Sequence, residues 1–296
     1  GPYTNYRIGT TNDGNNYCTS TDIGEILAFE SSLSLENREK LEGYLAHRWG
    51  IEASLPNSHP YSSTAPSSWT PNDVSPSVWF DANDSSTIDL VPHWLDKSNA
   101  GRVAAARGSP VLNPTANNGL PAMSYSGNGQ YHEFGDITNI RTIFWVWEDD
   151  GGSYFMLGDN DKYNFHRGSF LFNSNYTSAY VKEGLLKLNG TQVFTTATNP
   201  PSTMSIFSLR TTGNVEASNF SSDRSIGGRY AQGDLAELLV YNTALDNSQM
   251  SNIEYYLNVK WGLGHQIASS PMIFLGANQV LDAFGQGNDL VYAETR

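Results

Sequence analysis

Two acidic loops carry the side chains best suited to binding a metal ion. Residues 81–84 read Asp-Ala-Asn-Asp, and residues 158–161 read Gly-Asp-Asn-Asp. Carboxylate and amide oxygens are the ligands that calcium takes in proteins. We favour the later loop because it lies in a distal connection, and its predicted calcium ligands are Asp159, Asn160 and Asp161. The alternative is that these are ordinary turn residues, and we interpret the earlier loop as structural caps.

Aromatic and basic side chains surround the later loop. Aromatic faces stack on sugar rings, while arginine and histidine direct hydrogen bonds to hydroxyl groups. The predicted saccharide-binding residues are Tyr154, Tyr163, His166 and Arg167. The alternative is a chance grouping, since the chain contains 16 tyrosines.

The sequence offers little for catalysis. Glycoside hydrolysis requires two carboxylates that face each other across a cleft. The nearest acidic run is 148–150, and the glycines that follow it predict a turn. The histidines match no metal-binding spacing, and no nucleophile elbow, P-loop or dinucleotide fingerprint is present. We therefore predict that the chain is not an enzyme. The alternative is a degenerate or undetected polysaccharide-degrading enzyme, which a cleft with paired carboxylates would favour.

The elements that position these loops are organised around an internal repeat. Residues 22–51 align without a gap to residues 234–263, at an offset of 212. Each copy begins with an eight-residue apolar run that predicts a strand, followed by an amphipathic helix. Glu25 and Glu237 occupy equivalent positions on the apolar strand face. We interpret them as anchors for an indole, an arginine or backbone amides rather than as general acids, because recurrence in both copies fits a role in the fold.

Helix boundaries are also marked in both copies. Ser34 predicts an N-cap in the first copy, and Asp246 with Gln249 has the capping-box spacing in the second. The helices close with Trp49 and Trp261, each followed by glycine. We expect both indoles to be buried where the closing helix meets a sheet.

These residues resemble the C-terminal end of bacterial LamG-like domains of the concanavalin A-like lectin/glucanase superfamily. The resemblance lies in a D-[IL]-x-E-[IL]-L strand and an E-x-Y-L…[RK]-W-G helix, and the start of such a domain is similar to 75–84 and 94–98. It implies an all-β fold, an antiparallel β-sandwich of the concanavalin A-like jelly-roll type, with one C-terminal helix per repeat. Domains of this family often bind calcium at the sandwich rim. The acidic run typical of jelly-roll glucanases is missing from this sequence.

The predicted organisation has four parts. Residues 1–61 form the C-terminal part of a first LamG-like domain, and 62–74 form a Pro- and Ser-rich linker. Residues 75–264 form a complete LamG-like jelly roll, in which 185–194 is the firmest predicted hairpin because Asn189-Gly190 suits a type I′ turn. Residues 265–296 form a tail or the start of a further module.

Composition limits the partners. The chain has 296 residues, a formal net charge of −13 and a pI near 4.7, with no basic cluster. This argues against nucleic acid and anionic membranes as partners, and no apolar run predicts membrane insertion. The single cysteine rules out an internal disulfide. We expect an extracellular or surface-exposed bacterial or phage protein that recognises a polysaccharide, a glycoconjugate or a protein, assisted by calcium. A structural spacer is the third alternative.

Overall fold

The structure is a computed structural model that describes residues 32–66, 70–88, 93–151, 156–224, 226–265 and 267. The chain divides into two compact units, residues 1–67 and 68–296. Two predicted features therefore lie outside the described residues. One is the first-copy strand that contains Glu25, and the other is nearly all of the tail.

The first unit is built on helix α1 (Leu35–Trp49). Its N-terminus is capped by Ser34, whose hydroxyl accepts a hydrogen bond from the Asn37 amide at 3.2 Å, as the sequence predicts. The chain then folds back onto the helix, where His47 Nε2 lies 2.8 Å from the Tyr61 carbonyl oxygen. The helix presents Gly43 to Tyr61, and a Cβ at that position would lie 2.4 Å from the Tyr61 Cβ. Glycine is therefore required for this close approach.

The predicted burial of Trp49 is wrong. This side chain is 49% exposed, whereas Leu41 and Ala46 are buried. The described part of the first unit holds one α-helix and a short 3-10 helix, Glu52–Ser54, without a strand between residues 32 and 66. Helix α1 contacts the returning chain through Gly43 and His47, and Trp49 at its end is half-exposed.

The second unit is an antiparallel β-structure with little helix, as predicted. All strand pairings within its described residues are antiparallel. The helices are α2 (Ala179–Lys182) and α3 (Asn247–Lys260). The strands are β1 (Val78–Asp81), β2 (Trp94–Leu95), β3 (Val103–Arg107), β4 (Val111–Asn117), β5 (Leu120–Ser126), β6 (Tyr131–Asp149), β7 (Leu185–Leu188), β8 (Thr191–Val193), β9 (Ser205–Phe220) and β10 (Gln232–Tyr241).

Strand β10 lies inside the sheet and pairs with three strands. The strand order is β4-β5-β10-β6-β9-β7-β8, and β1 also pairs with β10. Strand β1 covers residues 237–240 of β10, and β5 covers residues 232–235 on the same side. The apolar run read from the sequence suits this position because nearly every residue of β10 is buried.

Strand β6 connects two parts of the structure. Its first residues pair with β3, and its last eight pair with β10. Register shifts along β6 and β9 bend this 19-residue strand, as β-bulges do. Trp145 and Trp147, which the sequence assigns to the core, are buried.

Local signals in the sequence identified several boundaries correctly. Asn189 and Gly190 both have positive φ, 50° and 80°, and join β7 to β8 as the predicted hairpin turn. Helix α3 carries the predicted capping box between Asp246 and Gln249. Residues 169–172 form bends, although Leu171 and Phe172 are buried.

The last four residues of the predicted linker, 71–74, have regular structure. Residues Pro71–Val74 form a capped 3-10 helix, and Pro71 is buried. Its carbonyl oxygen lies 3.5 Å from the Tyr241 hydroxyl, so this segment packs on the second unit. Among the described helices, none is both long and apolar enough to cross a membrane.

Candidate functional site

The loop that follows residue 155 begins with an antiparallel bridge between Gly158 and strand β9. The Gly158 amide donates to the Asn219 carbonyl oxygen at 2.9 Å, and the Gly158 carbonyl oxygen accepts from the Ser218 amide at 2.8 Å. A Cβ on Gly158 would lie 1.6 Å from the Ser222 carbonyl oxygen. Only glycine permits this approach, which places the next residues beside the outer end of β9.

Three carboxylates converge at this position. Carboxylate oxygens of Asp159, Asp161 and Glu216 all lie within 4.8 Å of one another. Asp159 is buried, Glu216 is half-buried and Asp161 is exposed. Oxygen ligands at this spacing on two adjacent segments could hold a metal ion. The sequence predicted the two aspartates but missed Glu216, which comes from β9, 55 positions after Asp161.

The carboxylate of Asp159 also shapes the turn. It accepts hydrogen bonds from the amides of Asp161 at 3.0 Å and Lys162 at 3.2 Å. Burial raises the pKa of Asp159, and the neighbouring Asp161 adds to that rise. The hydrogen bond with Asp159 in turn lowers the pKa of Asp161. Two carboxyl groups this close disfavour simultaneous ionisation, and a cation relieves that cost.

The third predicted ligand, Asn160, is engaged elsewhere. Its backbone amide donates to the Ser218 hydroxyl at 3.2 Å, and its side-chain amide donates to Glu133 at 3.5 Å. These contacts fasten the loop to β6 and β9. In the described residues the convergent set is therefore two aspartates and one glutamate, instead of the three consecutive residues predicted.

Two of the predicted saccharide-binding residues lie on the next turn. Tyr163 is 43% exposed, and its carbonyl oxygen accepts from the His166 amide at 3.3 Å. The guanidinium of Arg224 lies over the Tyr163 ring, 4.7 Å from its centroid. The His166 ring meets exposed Tyr176 edge-on at 5.5 Å. Tyr154 lies outside the described residues.

The surroundings of His166 favour its neutral form. Partial burial lowers the pKa of His166, and the positive charges of Arg229 and Arg224 lower it further, against the opposing effect of Asp223. A neutral imidazole offers one donor and one acceptor, which suits a hydroxyl group.

Arg167 has a different place from the one expected. Its side chain is buried, and its guanidinium donates to both carboxylate oxygens of Asp149, with Nη2 to Oδ2 at 3.0 Å. A buried, bidentate pair of this kind stabilises structure. Arg167→Ala should therefore lower stability, because that change would leave Asp149 buried without this partner.

A separate polar cleft of about 420 Å³ lies over β4, β5, β6 and β10. Glu148 of β6 and Asp234 of β10 are cross-strand partners in it. Asp234 accepts hydrogen bonds from the Ser124 hydroxyl and, at 3.5 Å, from the Asn113 amide. Burial, together with the charges of Asp234 and Asp150, raises the pKa of Glu148. The sequence predicted a turn at 148–150, but Glu148 lies within β6. The carboxyl groups of Glu148 and Asp234 therefore lie side by side on paired strands.

The remaining acidic motifs stabilise the fold. Glu237 is buried and accepts hydrogen bonds from the indoles of Trp79 and Trp261 and from Lys260, each at 2.7 Å. This confirms its predicted role as an anchor for an indole. Asp84 accepts from the Ser86 amide at 3.1 Å at the start of a 3-10 turn, which confirms the predicted cap.

Comparisons with known proteins add little. No family model matches the chain, and no curated protein matches it. A solved structure of exo-beta-1,3-galactanase from Phanerochaete chrysosporium, with beta-1,3-galactotriose, is similar to it at 12% identity, with a TM-score of 0.23. The alignment covers 62% of this chain and 32% of the galactanase chain.

Proposed function

We propose that the chain is a non-catalytic, extracellular glycan-recognition protein with a concanavalin A-like jelly roll of the LamG-like type. The motif residues that carry this resemblance coincide with β1, β10 and α3, which meet at Glu237. The observation that carries the functional proposal is the position of the three convergent carboxylates. Asp159 and Asp161 directly precede the turn that presents Tyr163 and His166, and Glu216 joins them from β9.

The surface around this turn has the chemistry that sugar recognition requires. Tyr163 and Tyr176 offer exposed aromatic faces, and His166 lies between them in the chain with a lowered pKa. A cation held by the neighbouring loop would order that loop and present the aromatic side chains in a fixed geometry. We assign calcium to this site, since carboxylate oxygens without sulfur or imidazole ligands suit a hard cation.

Thermal unfolding tests the cation. Calcium at a hundredfold excess over its dissociation constant should stabilise the protein by about 2.7 kcal/mol. For a unit of this size that corresponds to a rise in Tm of about 5–10 °C. Asp161→Asn and Glu216→Gln should abolish the rise, whereas Glu183→Gln, an exposed carboxylate elsewhere, should retain it. Scans in EDTA and in calcium that overlay for the wild type would remove calcium from the proposal.

Glycan binding is tested on an array with calcium present. Tyr163→Ala and His166→Ala should weaken binding of whichever glycan the wild type retains, with little change in Tm. Phe194→Ala is the matched control, because this aromatic side chain is 81% exposed but lies outside the loop. Equal binding by the wild type and all three variants would mean that the glycan binds elsewhere on the protein.

The polar cleft supports a second candidate, the hydrolysis of a polysaccharide. The raised pKa of Glu148 suits a general acid, and Asp234, held by two donors, suits a nucleophile or base. Release of reducing ends from a panel of polysaccharides tests this. Activity that Glu148→Gln and Asp234→Asn each reduce by about a thousandfold or more would replace the non-catalytic proposal.

A further inference from the structure

We propose that the saccharide recognised at the calcium loop carries an anionic group, a carboxylate or a sulfate, and that Arg224 selects it. The inference rests on the proposed function, because it names the class of ligand for the same surface. Arg224 was not among the residues singled out in the sequence.

Three contacts hold Arg224 in place. Its Nε donates to the Asp223 carboxylate at 2.8 Å, and its guanidinium stacks on the Tyr163 ring. Its backbone amide donates to the Asp159 carbonyl oxygen at 3.0 Å. One residue thereby connects the aromatic face to the carboxylate loop, so a ligand on Tyr163 would meet the guanidinium directly.

The backbone of Arg224 is unusual. Its φ is 45°, in the left-handed region that non-glycine residues seldom occupy. Such a conformation persists only where surrounding contacts enforce it, and it is enriched at ligand-binding positions. Here the contacts with Asp223 and Asp159 enforce it. The fold holds this side chain on the Tyr163 ring against a local backbone preference.

The ion-paired group of Arg224, Arg229 and Asp223 carries a net positive charge. Asp223 is fully buried and is shared, since Arg229 donates to its other oxygen at 2.8 Å. Two guanidinium groups thus face one carboxylate. The Arg224 side chain is 29% exposed, and its ion pair with Asp223 uses Nε. A guanidinium has five donors, and its terminal nitrogens match the two oxygens of a carboxylate or sulfate.

The cation and the arginine act together on an anionic ligand. Without a cation, the carboxylates of Asp159, Asp161 and Glu216 would repel a negative group that approaches Tyr163. A divalent cation would neutralise most of that charge, leaving Arg224 to attract the ligand. Recognition of an anionic saccharide should therefore depend on both groups, and recognition of a neutral saccharide should depend chiefly on the aromatic face.

The experiment compares three oligosaccharides of matched length by calorimetry on the full chain in calcium. They are an oligogalacturonate, a sulfated oligosaccharide and a neutral oligoglucan. We expect one of the anionic ligands to bind at least tenfold more tightly than the neutral one. Arg224→Gln should remove this preference. Arg224→Lys should retain part of it, because lysine keeps the charge but lacks the paired terminal nitrogens of the guanidinium. The matched control is Arg229→Gln, which removes the other guanidinium on Asp223 and should retain the preference.

The outcomes separate this inference from the proposed function. Neutral and anionic ligands that bind equally, with both weakened by Tyr163→Ala, would overturn the selection of an anion while leaving glycan recognition intact. Binding by none of the ligands would overturn both. Melting temperatures of the variants verify folding. If Arg224→Gln does not fold, Arg224→Lys provides the test. The role of Arg224 would be overturned if folded Arg224→Lys kept the full wild-type preference for the anionic ligand while Arg229→Gln lost it.

Discussion

Glu237 shows how much structure one carboxylate can organise. It accepts hydrogen bonds from two indoles and one ammonium group while fully enclosed. Glu237→Gln would place an amide donor where a donor from the protein already points, and it would remove the charge opposite Lys260. We expect a loss of about 2–3 kcal/mol in the free energy of unfolding, measured by urea denaturation.

Glu183→Gln serves as the control for this prediction, because the Glu183 side chain is exposed. Its free energy of unfolding should stay within about 0.5 kcal/mol of wild type. A Glu237→Gln variant with wild-type stability and no residual hydrolytic activity, compared with an active wild type, would instead make Glu237 catalytic.

Glu254 provides a prediction about pH. It is buried on α3, accepts a hydrogen bond from Ser208 and pairs with Lys187 at 3.1 Å. Burial raises the pKa of Glu254 despite these partners. The folded protein therefore holds this proton more tightly than the unfolded chain. As the pH falls through the raised pKa towards the ordinary glutamate value of about 4.3, this residue makes the folded state relatively more stable.

The measurement is urea denaturation of wild type and Glu254→Gln at pH 7 and pH 5. The free energy of unfolding of wild type minus that of the variant should be larger at pH 5. Each unit by which the raised pKa lies above 5 contributes about 1.4 kcal/mol to the wild-type stability at pH 5. A difference that shrinks at pH 5 would contradict the raised pKa of Glu254.

At the residue scale, the sequence predicted a side chain's structural role correctly where that residue recurs in both copies of the repeat. Glu237 could be recognised as an anchor because its equivalent recurs 212 positions earlier on the same apolar face. Glu216 and Arg224 could not be found, since strand pairing brings them to the loop from distant positions. Arg167 was misread because its partner Asp149 lies 18 positions earlier in the sequence, at the buried end of β6.

Among the elements, helix α3 depends on its last contact with the sheet. Trp261 is fully buried at its C-terminus, and its indole donates to Glu237. Trp261→Ala should lower the free energy of unfolding of the second unit by about 3–5 kcal/mol. Trp49→Ala, at the equivalent and half-exposed position of the repeat, should leave that transition unchanged. A small effect of Trp261→Ala on chemical denaturation would show that the helix is dispensable for the sheet.

The loop at 156–161 depends on its glycine. Gly158→Ala would force the loop away from the Ser222 carbonyl oxygen, at a cost of about 1–3 kcal/mol. It should also abolish the calcium-induced rise in Tm, because Asp159 and Asp161 would move away from Glu216. Gly227→Ala is the matched control, since a Cβ there would meet nothing within 4 Å. An unchanged calcium response in Gly158→Ala would separate the cation from this loop.

Element boundaries followed from the sequence where the signal is local. The Asn189-Gly190 turn and the cap at Asp246 each depend on a few consecutive residues. The bends at 169–172 did not follow from a local signal, because Leu171 and Phe172 reach the core without pairing as a strand. The bulges of β6 were likewise missed, since they arise from pairing with β3, β9 and β10 together.

At the scale of the whole molecule, the net charge of −13 should make stability sensitive to salt. Screening of mutual repulsion between carboxylates should raise Tm as NaCl increases from about 20 to about 200 mM. Asp161→Asn should show the same salt response as wild type while losing the calcium response at constant ionic strength. Parallel loss of both responses would mean that calcium acts only as a screening ion.

The antiparallel, all-β class of the second unit could be predicted because many short apolar runs separated by turn residues leave few alternatives. The domain limits at 75 and 264 stay predictions, whereas the capped segment at 71–74 belongs with the second unit. Sequence patterns mark where strands begin and end. They do not show which preceding segment will pack on a sheet, as Pro71 does.

The shared carboxylate of Glu237 brings the first strand and the last helix of the second unit to one point. The first strand and the end of the last helix of this unit therefore lie close together. A unit built in this way can be spliced into a surface loop of a host protein, or joined head to tail with others, without straining its neighbours. It could also be circularly permuted by linking these two points and opening the Asn189-Gly190 turn. Such freedom of connection would allow copies of one unit to accumulate along a chain, leaving an ungapped duplication of the kind found at residues 22–51 and 234–263.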